Sequence, residues 1–160
     1  MADSGNDSRP PVDSGVALAI ATVCGVGYAP VAPGTFGSAA GLVLWWLLPA
    51  STTVQAVAIV ILFVLGWWSG NVAERYYGRT DPGQVVIDEV MGMLITLFMN
   101  PVSWRGAIAA FLLFRIFDVI KPYPANRLER LHGGAGVMAD DGMAAIYANL
   151  VLRAALYVLR

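Results

Sequence analysis

Polar and apolar positions along this chain are segregated into long blocks instead of being mixed. Between Asp13 and Glu74 there is no Asp, Glu, Lys, Arg or His, and a bilayer is the usual solvent for so long a charge-free interval. Inside it, Val16 to Tyr28 is apolar, yet its about 13 residues would give only roughly 20 Å of helix, and Pro30 and Pro33 interrupt the chain beyond. That segment is predicted to be a short interfacial or re-entrant helix. Thr35 can cap the next helix, which runs through Trp45 and Trp46 to Pro49. Thr53 to about Glu74 is the clearest span, rich in Val, Ile and Leu, with Trp67 and Trp68 near its polar end.

After the polar loop ERYYGRTDPG the pattern predicts a shorter helix over Val85 to Met99, stopped by Asn100-Pro101, and another over Trp104 to Ile120, ended by Pro122 and Pro124. Ala125 to Gly136 is polar, and its three glycines disfavour a continuous helix. A last helix is expected over Met138 to Leu159. The fold class is therefore all-α: a polytopic membrane helical bundle with about four spanning helices and a short N-terminal helix. Residues 1–14 read as a disordered tail without the basic start of a secretory signal, and 15–160 as one membrane-embedded domain.

Composition supports the membrane reading, with 58% hydrophobic and 13% charged residues and a mean hydropathy of +0.64. A net charge of -1 argues against a nucleic-acid partner. The single cysteine, Cys24, makes neither an internal disulfide nor a thiolate metal cage.

Chemistry enters where carboxylates interrupt the apolar blocks. If the Thr53 helix ends on one face, the topology returns Asp88-Glu89, Asp118, Lys121 and Asp140-Asp141 to that same face, together with the segment PVAPGT. Arg75, Arg79, Lys121, Arg127 and Arg130 collect there too, whereas Arg105 and Arg160 lie toward the other side, so the positive-inside bias places the acids in the cytosol. Acids at membrane depth are costly unless paired, wetted or bound to a cation. Carboxylate oxygens without His or Cys clusters fit a hard cation, Mg2+ before others, with Asp88, Glu89, Asp118, Asp140 and Asp141 as candidate ligands. The alternative for each doublet is simple charge complementation of a helix N-terminus.

Arg115, Asp118 and Lys121 recur every third residue and share one helical stripe. They either pair with one another or hold an anion through Arg115 and Lys121 while Asp118 faces a metal. Gly133, Gly134 and Gly136, and the helix start near Thr35, could offer backbone N–H groups to phosphate. His132, the lone histidine, is either a proton donor to a leaving oxygen or a plain loop residue.

Four blocks in order, GYAPVAPGTFGS, DPGQVVIDEVMGM, FRIFDVIKPYP and HGGAGVMADD, resemble the phosphatidylglycerophosphatase A family from about Ala21 to Tyr157. The resemblance implies a bacterial, multi-pass inner-membrane enzyme that uses Mg2+ to remove the terminal phosphate of phosphatidylglycerophosphate at the cytosolic leaflet, in phospholipid biosynthesis. Its partner is then a phospholipid substrate, and self-association stays open. Asp88, Glu89, Asp118, Lys121, Asp140 and Asp141 match the family's polar motif positions, and Thr35 is similar. Two positions depart from the pattern: Val26, between Gly25 and Gly27, and Gly142, which is expected to loosen the start of the last helix. Histidine-nucleophile phosphatases need a second histidine, haloacid-dehalogenase phosphatases need Asp-x-Asp at a strand end, and the CDP-alcohol phosphotransferase pattern is absent.

The expected mechanism is attack by water on a phosphate held by cation and basic residues, with an aspartyl-phosphate route left open. The competing function is a small ion-coupled transporter or channel, which would spread acids through the membrane depth with access to both faces. A purely structural membrane subunit would leave the clustered acids without a purpose.

Overall fold

A computed structural model describes residues 12–128 and 133–158, and every regular element among them is helical. In chain order these are α1 (Val12–Ala21), a 3-10 turn (Val26–Tyr28), α2 (Pro33–Leu47), α3 (Thr52–Tyr77), α4 (Ile87–Leu97), α5 (Trp104–Ile120), α6 (Ala125–Leu128) and α7 (Gly134–Val158). The tail expected over residues 1–14 lies, up to residue 11, outside the described residues.

Local chemistry explains most boundaries. α5 starts where Ser103 Oγ accepts from the Gly106 N–H at 3.5 Å, and it stops with Lys121 in the left-handed region ahead of Pro122. α2 begins two residues before the expected cap. Pro33 occupies its first turn, where a missing N–H costs nothing, and the Thr35 N–H donates to the Ala32 carbonyl at 2.9 Å.

The last helix differs more. It starts at Gly134 instead of Met138, so part of the glycine-rich stretch expected to be irregular is helical. The reason is tertiary: a Cβ on Gly134 would collide with the Trp67 carbonyl and the Asn71 N–H of α3, so glycine lets two helices touch backbone to backbone. Gly142 does not interrupt α7 either, and the space beside it is bounded by the Met91 methyl at 3.7 Å.

α4 is the centre of the bundle. It has only eleven residues, and Ile87, Asp88, Val90, Met91, Gly92, Met93, Leu94, Thr96 and Leu97 are all buried, with α2, α3, α5 and α7 packed around it. Two apolar clusters meet along it. One joins Met91 to Ala21, Ala73, Val137 and Met138; the other joins Met93 and Leu97 to Phe114, Ala145, Ala148 and Leu152. Phe114 is fully buried with its ring against Gly92, where truncation to Ala would cost about 3–5 kcal/mol. Because α4 ends inside the bundle, its last carbonyls need partners from elsewhere. Asn149 of α7 supplies them, its amide donating to Ile95, Thr96 and Phe98 oxygens at 2.9–3.0 Å.

The outer surface is apolar. Val57, Val60, Ile61 and Val64 on α3 and Ile108, Leu112, Ile116 and Val119 on α5 are exposed. Among the described residues α3, with 26 residues, is the one helix long and apolar enough to cross a membrane. α3 and α5 end, and α2, α4 and α7 begin, at one end of the bundle. The contacts of Gly34 with Glu89 and of Gly134 with Asn71 tie that end together.

Candidate active site

Three helix segments bring carboxylates to this end. Asp88 and Glu89 occupy the first turn of α4, where the helix N-terminus favours negative charge, and Asp141 faces them from the second turn of α7. One oxygen from each of Asp88, Glu89 and Asp141 lies within 4.8 Å of the others. Asp88, Asp140 and Asp141 are 6%, 3% and 3% exposed, so bulk water does little to screen them from one another.

Asp118 joins from α5 through an arginine. Arg115 Nη1 is 2.7 Å from Asp118 Oδ2 and 3.7 Å from Glu89 Oε1. Lys121, at the end of the same helix, pairs with Asp140 Oδ2 at 2.5 Å. The predicted stripe therefore does two things: Arg115 and Asp118 pair within the helix, and Arg115 and Lys121 also reach acids on other helices.

The pairing is incomplete in an informative way. Asp88 Oδ1, Glu89 Oε2, Asp140 Oδ1 and Asp141 Oδ2 are buried and accept no hydrogen bond. A buried carboxylate oxygen without a partner is strongly unfavourable. Several such oxygens, all hard donors, within reach of one another fit a divalent cation such as Mg2+.

α2 contributes the wall opposite. A side chain on Gly34 would run into Glu89 Oε1 and Arg115 Nη1, so the PGT segment presses directly on the acidic cluster. Thr35, half-buried, follows it in the first turn. Ser38 Oγ donates to the Gly34 carbonyl at 2.8 Å and accepts from Arg115 Nη1 at 3.5 Å.

The glycine-rich segment is held differently. The Gly133 N–H donates to Glu74 Oε2 at 2.9 Å and the Gly134 N–H to Asn71 Oδ1 at 3.0 Å, while Glu74 Oε1 accepts from the Asp81 N–H at 3.2 Å. Both glycine donors are thus engaged by the end of α3. His132 lies outside the described residues.

Ser38, Asn71 and Glu74 were not among the sequence candidates. Asn71 and Glu74 could have been noticed as polar residues three apart at the end of an otherwise apolar helix. Ser38 lies one turn beyond Gly34 inside GTFGS, where its hydroxyl reads as an ordinary helix residue until Arg115 is placed beside it.

The sequence matches the family described as Phosphatidylglycerophosphatase A over residues 19–156. A Bacteroides thetaiotaomicron protein named "Putative phosphatidylinositol-3-phosphatase" is 39% identical over 149 residues, covering 88% of this chain and 93% of its own length. Proteins named Phosphatidylglycerophosphatase A from Haemophilus influenzae and Escherichia coli are 40% and 34% identical, covering 83% and 80% of this chain and 84% and 76% of their own. No solved structure matches at a significant level. The family match takes in all three acid-bearing helices and nearly the whole described bundle, so the chain belongs to the phosphatidylglycerophosphatase A family.

Proposed function

We propose that this protein is a Mg2+-dependent phosphatidylglycerophosphatase, hydrolysing the terminal phosphate monoester of phosphatidylglycerophosphate to phosphatidylglycerol and phosphate. The observation that carries this reading is the meeting of Asp88, Glu89 and Asp141 from α4 and α7, with unpartnered oxygens, beside Arg115 and Lys121. Asp88, Glu89 and Asp141 would hold the cation, with Asp118 and Asp140 adjoining. When bound, it supplies Lewis-acid chemistry, drawing charge from the phosphoryl oxygens and making water a stronger nucleophile at neutral pH.

The chain's own residues do the rest. Arg115 offers a forked donor set to the phosphate, and its bonds to Asp118 and Ser38 hold the fork in the direction of the acids. Lys121, steadied by Asp140, supplies a second positive charge to the oxygens on which charge builds in the transition state. Thr35 and the first turn of α2 close the site from the opposite wall. Gly133 and Gly134, whose N–H groups are already held by Glu74 and Asn71, anchor the start of α7, and to His132 we assign proton donation to the leaving oxygen. A carboxylate that is not engaged by the cation accepts the proton of the attacking water.

The membrane placement follows from the same proposal. α2, α3, α5 and α7 would form the four spans, with α4 enclosed among them and α1 alongside. Arg75, Arg79, Lys121 and Arg127 at the acid end would lie in the cytosol, with the site at the leaflet where the headgroup is reached without extracting the acyl chains. A transporter would need unsatisfied polar groups through the depth of the bundle, whereas among the described residues Ser38, Ser69 and Thr96 bond to their own helices and Asn149 caps the end of α4.

The test is phosphate release by purified protein from phosphatidylglycerophosphate, with and without Mg2+, and with phosphatidylinositol 3-phosphate as the comparison substrate. Release that needs Mg2+, prefers the glycerol headgroup and is lost in Asp141→Asn is the expected result. Release that is indifferent to chelator or to Asp141→Asn would refute it.

A further inference from the structure

The turn between α1 and α2 is wound in a way that its residues do not favour on their own. Val23, Cys24 and Gly25 follow one another in the left-handed region, with φ of 50°, 53° and 97°. Glycine takes that conformation freely, but a β-branched valine there is an outlier. Such backbone persists only where its surroundings over-determine it. Thr22, just 1% exposed, supplies much of that constraint. Its Oγ1 accepts from the Gly25 N–H at 3.1 Å, its carbonyl accepts from the Gly27 N–H at 2.9 Å, and its own N–H donates to the Leu18 carbonyl at 2.9 Å. One buried residue thus ties the end of α1 to both halves of the turn.

The turn has two neighbours, and each belongs to a wall of the acid site. The carbonyl of Ala21, the last residue of α1, accepts from the Val86 N–H at 2.9 Å. Val86 is the residue from which α4 starts, two before Asp88 and three before Glu89. Its N–H lies outside the ladder of α4, so the point at which that helix begins is fixed from outside. Gly27 adds a second fixing point, because it lies so close to Gln84 that a Cβ would fall on the Gln84 carbonyl. Ala21 also shares a buried apolar cluster with Val85, Ile87 and Met91. On its other side the 3-10 turn packs against α2, whose Gly34 presses on Glu89 and Arg115.

We propose that Thr22 is a positioning residue for the reaction: through the turn it holds, it sets where α4 begins and so how Asp88 and Glu89 stand to Asp141. It acts through backbone, not by touching the phosphate. The kinetic side of this inference rests on the phosphatase reading of the acids; the structural side does not.

The test uses full-length protein in detergent and reads amide hydrogen exchange together with steady-state release of phosphate from phosphatidylglycerophosphate in Mg2+. Thr22→Val keeps the shape and removes the hydroxyl, whereas Thr22→Ser keeps the hydroxyl. Thr22→Val is expected to exchange about tenfold faster over residues 84–90, with residues 104–120 of α5 unchanged. Its kcat should fall about 10- to 100-fold, the scale of an ångström's misplacement, with KM within about twofold of wild type. Thr22→Ser should bring both readings back to within about threefold of wild type. Gly25→Ala is the second route should Thr22→Val not fold. Its Cβ meets only Tyr28 Cδ2, at 3.9 Å, so it loads the turn without crowding the core, and it should reproduce both effects. Unchanged exchange over 84–90 in Thr22→Val and Gly25→Ala, faster exchange throughout the bundle, or a Thr22→Ser variant as impaired as Thr22→Val would overturn the proposal. Exchange needs no substrate, so wild type that releases no phosphate would refute the phosphatase reading while the tether is still decided by the variants.

Discussion

Arg115 and Glu89 face each other across the junction of α5 and α4, with Nη1 3.7 Å from Oε1, and the same nitrogen lies 2.7 Å from Asp118. A guanidinium between two carboxylates is held in one direction, and under the proposed function its remaining donors would meet the phosphate. Arg115→Lys keeps the charge and loses the fork. We expect kcat/KM to fall about 10- to 100-fold, the loss of one or two charge-assisted bonds. Steady-state kinetics in mixed micelles measure it, and an unchanged kcat/KM would remove Arg115 from the site.

Asp141→Asn is expected to divide stability from activity. Without divalent cation, the buried carboxylates of Asp88, Glu89 and Asp141 repel one another, and replacing one by a neutral amide relieves that repulsion. The variant should therefore melt higher than wild type in chelator while losing at least about a thousandfold in kcat. Mg2+ should raise the wild-type melting temperature, with about 2.7 kcal/mol of stabilisation at a hundred times its dissociation constant, and leave the variant unmoved. Thermal scans with and without Mg2+ read both effects.

Gly34→Ala places a methyl against Glu89 and Arg115. Overpacking of this kind costs about 1–3 kcal/mol and would displace the two charged groups together. Activity should fall with little change in overall helicity. Gly83, which has open space where its Cβ would be, serves as the control, and Gly83→Ala should behave as wild type in both the assay and the melt.

Asn71→Leu removes the acceptor for the Gly134 N–H, and Glu74→Leu removes those for Gly133 and Asp81. Either change leaves backbone donors unpaired at the start of α7, at about 1–3 kcal/mol each if they stay buried. Faster amide hydrogen exchange over residues 133–141 is expected, accompanied by a drop in kcat, because Asp140 and Asp141 ride on that turn. Exchange confined to the 78–84 loop would contradict the proposed link.

Much of this architecture was legible one residue at a time. The charge-free interval and the clustering of Val, Ile and Leu marked α3, and Asn100-Pro101 on one side with Pro122 and Pro124 on the other bracketed α5 to the residue. Counting helix directions was enough to bring Asp88, Glu89 and Asp141 to one end. The start of α7 was not legible, because glycines in HGGAG signal an irregular loop locally, and only the approach of α3 turns Gly134 into a helix contact. Ser38, Asn71 and Glu74 were missed for the same reason: their partners are 59 to 77 residues away.

The enclosure of α4 has an evolutionary corollary. A segment with neighbours on every side has no direction in which to absorb a change of shape, so its eleven positions should admit few substitutions in a saturation mutagenesis screen. Val57, Val60, Ile61 and Val64 on the rim of α3 touch little protein and should exchange freely among aliphatics. Drift in this lineage would then accumulate on the perimeter, while the inner rod that presents Asp88 and Glu89 stays nearly fixed.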